Sequence, residues 1–172
     1  MRRFRPLVGT LAYVWDRSTD HVLQVRRNAR AEDENLGKVM GLGGKVEPDE
    51  HVVDGMRREL HEEALIEVTS LRLRGTITWT GFGPSGSDWL GFVFLVDGWT
   101  GTPPEANDEG TLEWVERERL LAACTPGGDP DLPMWAGDHH FIPLVFDDDP
   151  RQFHGTMPYD GERPRSWTVD RL

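Results

Sequence analysis

Leu7 to Trp15 is apolar along most of its length and His21 to Arg27 alternates. Both have strand length, and the polar turn Asp16 to Asp20 separates them. A polar stretch, Asn28 to Lys38, leads to Gly41-Leu42-Gly43-Gly44-Lys45, whose glycines predict a turn. The period then becomes helical from about Glu50 to Ala64. Val53, Met56, Leu60 and Ala64 recur every three or four residues and form a stripe suited to a core. Pro48-Asp49 supplies the start signal, with Asp49 as the predicted N-cap.

Leu71 to Thr80 is the next predicted strand, followed by a glycine- and serine-rich loop, Gly81 to Asp88. Trp89 to Val96 is apolar at consecutive positions, as in a strand covered on both faces. After the turn-rich segment Asp97 to Gly110 come a short strand, Glu113-Trp114-Val115, and a helix, Glu116 to Ala123. Breakers fill Thr125 to Pro133, and a further short helix is predicted over Asp138 to Phe146. Phe153 to Tyr159 and Ser166 to Leu172 are set to pair as a hairpin around Asp160-Gly161. With no internal repeat and no long linker, the pattern predicts one domain over residues 1–172, a layered α/β sandwich with a mixed sheet.

Composition narrows this picture modestly. Hydrophobic residues are 37% and charged residues 28% of the 172, an ordinary globular balance. The single cysteine, Cys124, rules out an internal disulfide and a cysteine-clustered zinc site. No apolar run approaches the roughly 20 residues that span a bilayer. Met1 to Trp15 imitates a signal peptide, but Asp16-Arg17 follows without a small-residue cleavage site, so the run reads as the first strand. The net charge of −11 disfavours a surface for nucleic-acid backbone. A cytoplasmic protein without a nucleic-acid or membrane partner is expected; the oligomeric state is left open.

Candidate chemistry concentrates in the long helix. At about 100° per residue, Glu59, Glu62 and Glu63 fall on one face beside the apolar stripe. Like charges so close repel, and a divalent cation would remove the repulsion, since hard cations take carboxylate oxygens.

The neighbouring residues sharpen this. From Gly44 the spacing is Gly, five residues, Glu50, seven residues, then Arg58-Glu59-Leu60-His61-Glu62-Glu63. Over 44–66 this resembles the Nudix box, the signature of hydrolases that cleave nucleoside diphosphates linked to a further group. One position departs: the glycine usual after the glutamates is Leu65 here, before the expected aliphatic Ile66. The resemblance implies a Nudix-fold α/β/α sandwich. It implies Mg²⁺, with Mn²⁺ as a substitute, held by Glu59, Glu62 and Glu63 and by the Gly43 carbonyl. Arg58 would orient the glutamates, and Lys45 would reach a phosphate. The proton acceptor for the attacking water is one of these carboxylates or Glu109.

Outside the box, Gly75-Thr76-Ile77-Thr78-Trp79, Ser87-Asp88-Trp89, Glu109 to Val115 and Pro133 to Asp138 are similar to the MutT/MTH1 branch. Its members convert 8-oxo-dGTP to 8-oxo-dGMP and pyrophosphate by attack of water at the α-phosphorus. The strongest likeness is to bacterial 8-oxo-dGTP diphosphatases of the MutX type. By that likeness Glu109 joins the metal cluster from a loop and Asp138 is one of an aspartate pair reading the purine edge. The second aspartate is Gly137 here, and Met40 stands where the branch has a base-contacting asparagine. Trp79, Trp89 and Trp135 would line the nucleoside pocket, while Trp99, Trp114 and Trp167 are assigned to the frame. The acidic run Asp147-Asp148-Asp149 reads as a solvated turn. The implied activity is sanitation of the nucleotide pool. The same box also serves ADP-ribose, diadenosine polyphosphates or ordinary dNTPs, and a catalytically weak nucleotide-binding sensor is the alternative of a different class.

Overall fold

The computed structural model describes residues 3–172; Met1 and Arg2, at the head of the expected domain and of the basic run before the first strand, lie outside the described residues. The chain forms β1 (Leu7–Asp16), β2 (His21–Arg27), β3 (Val39–Met40), α1 (Val52–Ala64), β4 (Glu67–Phe82) and β5 (Ser87–Thr100). It continues through β6 (Gly110–Glu116), α2 (Arg117–Ala123), α3 (Asp138–Phe146), β7 (Phe153–Gly161), β8 (Arg163–Pro164) and β9 (Thr168–Arg171).

The strands order as β3-β2-β1-β5-β4-β7, with β6 beside β2 and β9 beside β7. β1 pairs parallel with β5 and β4 with β7, whereas β1–β2, β2–β6 and β4–β5 are antiparallel, so the sheet is mixed. Alternation in a strand sends successive side chains to opposite faces. In β5, Val93 and Leu95 enter one core while Phe94 and Val96 enter the other. That is why this segment lacks a polar face.

The stripe of α1 closes the second core: Met56, Leu60 and Ala64 are fully buried against Ala12, Val14, Leu23 and Val25. Each large apolar side chain so buried contributes about 1.5–3 kcal/mol. The first core packs Leu120 of α2 and Phe141, Ile142 and Val145 of α3 against Tyr13, Val22 and Ile77. Helices on both faces make the α/β/α sandwich. Among the described residues no helix is long and apolar enough to cross a membrane.

Four local expectations are corrected. The glycine segment is extended rather than a turn: the Ala12 N–H donates to Leu42 O at 2.6 Å, Leu42 N–H to Ala12 O at 3.0 Å and Thr10 N–H to Gly44 O at 2.8 Å. Glycine serves close approach here, since a Cβ on Gly41 would lie 2.6 Å from the Ala12 carbonyl oxygen. α1 is capped by His51, whose Nδ1 accepts from the Val53 N–H at 3.2 Å. Asp49 sits earlier at φ 65°, outside the extended conformation an N-cap adopts. β4 and β5 run past their apolar stretches into Glu67–Ser70 and Asp97–Thr100, where backbone pairing continues through bulges. The acidic run after α3 is an ion-pair centre: Asp147 binds Arg74 at 3.0 Å and also Arg171, and Asp149 binds Arg151 at 2.7 Å.

Candidate active site

Three pieces of chain meet at the C-terminal end of α1. The glycine segment runs antiparallel along β1, so Leu42 and Gly44 turn their carbonyls toward β1 and Gly43 faces the other way. There the Gly43 N–H donates to Glu63 Oε2 at 3.1 Å. Gly44 leaves room for Glu59; a Cβ on it would fall 2.6 Å from that carboxyl group. The third piece is the loop before β6, which brings Glu109 beside Glu63.

The electrostatics follow from this crowding. Burial pushes the Glu63 carboxyl well above the usual carboxylate range, and the negative charge of Glu109 pushes it further, against the Gly43 N–H. Burial also raises Glu59; the bond to Arg58 opposes this, and the charges of Glu62 and Glu109 add to it. Glu59, Glu63 and Glu109 thus form an oxygen-only donor set with excess negative charge, in a cradle that a side chain on Gly44 would fill. These residues fit a hard divalent cation.

Glu62 stands apart from that convergence. Its side chain is 58% exposed and accepts from Arg58 at 3.3 Å. Among the described residues no three acidic, histidine or cysteine side chains are already drawn into coordination geometry. Arg58 holds Glu59 at 2.9 Å and Arg27 holds Glu109. Arg58 also binds Glu50 Oε1 at 2.8 Å and the Lys45 carbonyl at 3.0 Å. It therefore ties the helix start, the glycine segment and two box glutamates together, and the Arg58 contact holds Glu50 below the usual carboxylate range.

The other predicted site residues divide by face. Trp79 packs edge-on to Phe141 at 6.0 Å and lies over Gly91. The Trp89 ring covers Gly9, with Lys45 Nζ 5.9 Å from its centre. Trp135 is only 2% exposed, lodged between Phe82 and Lys38, and donates its Nε1–H to Asn35 at 2.9 Å. It is not the open stacking face that its loop position predicts. Met40 packs on the α1-side core, whereas Trp79 packs against the opposite one.

Asp138 opens α3, and burial pushes its carboxyl up to about 7, opposed by the Trp135 backbone and the charge of Lys38. Gly137 donates its N–H to the Tyr159 hydroxyl at 3.2 Å, and a Cβ there would overlap Tyr159 and Met157. The space that a second aspartate would need is filled.

Residues that the sequence reading passed over complete the site. Arg27 joins Glu109 to Asp33, at 2.7 Å from the latter. Asn107 bonds both Glu109 and the end of α1. Its local turn is foreshadowed by an asparagine two residues before Glu109, but the partners across the fold carry no local signal.

The NUDIX domain model matches residues 5–145. The chain belongs to the Nudix family. Nudix hydrolases act on nucleotide-like small molecules at pyrophosphate bonds and generally use divalent ions, typically Mg²⁺. This Nudix chain is 30% identical over 122 residues to YvcI, an uncharacterised Nudix hydrolase of Bacillus subtilis, covering 70% of the chain and 71% of that protein. It is also 30% identical over 125 residues to the oxidized purine nucleoside triphosphate hydrolase of Danio rerio, covering 73% and 72% respectively. The crystal structure of a mutator MutT protein from Bacillus halodurans superimposes with a TM-score of 0.77 at 27% identity, over 95% of this Nudix chain and 97% of that one.

Proposed function

We propose that this Nudix hydrolase is a Mg²⁺-dependent nucleoside triphosphate pyrophosphohydrolase whose substrate is 8-oxo-dGTP or another oxidised purine nucleotide. The products would be the monophosphate and pyrophosphate. The meeting of Glu59, Glu63 and Glu109 around the glycine segment carries the metal-dependent hydrolysis, and the likeness to the oxidized purine nucleoside triphosphate hydrolase of Danio rerio supports the choice of base. Mn²⁺ would substitute for Mg²⁺, and Glu62 would join the set by turning away from Arg58. When bound, the ion would lower the pKa of its water and offset charge on the phosphoryl oxygens.

The chain's own groups would do the rest. The Gly43 N–H faces Glu63, so that segment would fix the diphosphate against the helix. Lys45, held near Trp89, would neutralise a distal phosphate. A carboxylate of the cluster would take the proton from the attacking water. Trp79, Trp89 and Trp135 would border the nucleoside, with Trp135 exposed only if Lys38 swings aside, whereas Met40, packed on the α1-side core, would not. Asp138, with a carboxyl that titrates near neutrality, can either donate to or accept from a purine edge.

Residues 1–172 would form one unit, because β7, beyond the matched region, pairs with β4 of the same sheet. Its role would be cytoplasmic nucleotide-pool sanitation, protecting DNA without a stable nucleic-acid partner. The test is kcat/KM with Mg²⁺ for 8-oxo-dGTP, dGTP, ADP-ribose and a diadenosine polyphosphate, in wild type and Asp138→Ala. A clear preference for 8-oxo-dGTP that the variant loses supports the reading. A ratio near one against dGTP in wild type rejects it.

A further inference from the structure

Ending a helix leaves its last carbonyls without partners inside the helix. In α1 the ending is unusual, since Leu65 adopts φ 55°, ψ 33° where glycine is the residue without a steric penalty. Its N–H takes the carbonyl of His61 at 3.0 Å. The carbonyl of Glu63 is taken instead by a side chain 44 positions away, with Asn107 Nδ2 donating to it at 3.0 Å.

The same carboxamide organises the loop that carries Glu109. Asn107 Oδ1 accepts the N–H of Glu109 at 2.8 Å and that of Gly110 at 3.0 Å. The Asn107 N–H donates to the Gly110 carbonyl at 2.9 Å, closing the turn. Two N–H groups on one atom and a carbonyl on the other fix the amide orientation, because the reverse would set donor against donor. One planar group therefore joins the backbone of Glu63 to the backbone of Glu109. No other bond among the described residues joins those two backbones so directly.

We propose that Asn107 is a positioning residue that sets Glu109 against the box helix, so that the carboxylates of Glu63 and Glu109 address the same cation. The inference rests on the metal-site reading above. Asn107 touches neither metal nor substrate and acts through Glu109. Arg27 and Asp33 steady the Glu109 side chain from the opposite direction. The backbone at Glu109 is governed by Asn107.

Mn²⁺ binding to the 172-residue chain, read by electron paramagnetic resonance without nucleotide, tests this. Asn107→Asp keeps the acceptor for the loop but loses the donor to Glu63 and places an anion beside its carbonyl. Asn107→Ser, which accepts locally and is too short to reach Glu63, is the second variant should the aspartate not fold. Partners that orient metal ligands typically matter by about 10–100-fold in affinity, so the Mn²⁺ dissociation constant should rise at least about tenfold. Glu109→Gln should weaken binding similarly, and adding the Asn107 change to it should weaken binding no further. If Glu109→Gln weakens binding and both Asn107 variants leave it unchanged, the positioning role is overturned while the metal site stands. Additive losses in the double variant overturn it too, since Asn107 would not then act through Glu109. If Glu109→Gln itself has no effect, the metal-site reading fails and the inference with it.

Discussion

Gly43 donates its backbone N–H to the carboxylate of Glu63 at 3.1 Å, binding the glycine segment to the last turn of α1. The contact requires a backbone that only glycine tolerates. Gly43 has φ 142°, and a Cβ would collide with the carbonyl oxygen of Thr10. Gly43→Ala should therefore cost about 2–4 kcal/mol of stability, from strain plus the broken ladder along β1. Urea denaturation should show a lower midpoint with an unchanged slope.

Arg58 joins Glu50, Glu59 and Glu62. Only the Glu62 pair is exposed, worth about 0–1 kcal/mol; the bonds to Glu50 and Glu59 are part-buried, so Arg58→Ala should fold with reduced stability. It should nevertheless lower kcat by about 10–100-fold, as expected when a group that orients metal-binding carboxylates is lost. Arg58→Lys should recover little, because an ammonium cannot reproduce the forked contacts. Steady-state kinetics beside circular dichroism separates orientation from unfolding.

Leu65 is 58% exposed and left-handed, an uncommon state for a γ-branched residue. The conformation costs about 1–2 kcal/mol, while glycine would lose about 0.5–1 kcal/mol through its freer unfolded chain. Leu65→Gly should thus stabilise the protein by about 0.5–1 kcal/mol and raise Tm by about 2 °C. A thermal melt that falls instead would mean that the Leu65 side chain contributes packing.

Asp138 links pH to stability. Its carboxyl is raised from an ordinary 3.8 to about 7 in the fold, chiefly by burial. The folded protein keeps a proton that the unfolded chain releases near pH 4. Its contribution to unfolding free energy is greatest below that pH, falls as pH rises toward 7 and levels off above. The full swing is at most about 4 kcal/mol. Comparing wild type with Asp138→Asn by urea denaturation at pH 5 and pH 8 isolates it: the variant should lose less stability over that interval.

How much of this was legible in the chain depends on the range of each interaction. The stripe of Val53, Met56, Leu60 and Ala64 is local, and it predicts both α1 and the face it buries. The double-sided apolar run of β5 likewise predicts a strand between two layers. The glycine segment was misread as a turn because glycine indicates conformational freedom without saying whether a turn or a close strand needs it. Arg27 with Glu109 and Asn107 with Glu63 lie 82 and 44 positions apart. No period connects them, so only the fold reveals that they govern the carboxylate cluster. The burial of Trp135 was hidden for the same reason, since Phe82 at the end of β4 and Lys38 in the loop before β3 reach it from distant parts of the chain.

The bond that is cut defines the reaction. Hydrolysis of 8-oxo-dGTP with Mg²⁺ in ¹⁸O-labelled water, followed by mass analysis of the products, addresses it most directly. The expected products are 8-oxo-dGMP carrying the label and unlabelled pyrophosphate, at a rate that Glu63→Gln lowers by about two orders of magnitude. Release of orthophosphate and a nucleoside diphosphate, or an undiminished rate in Glu63→Gln, would contradict this reading.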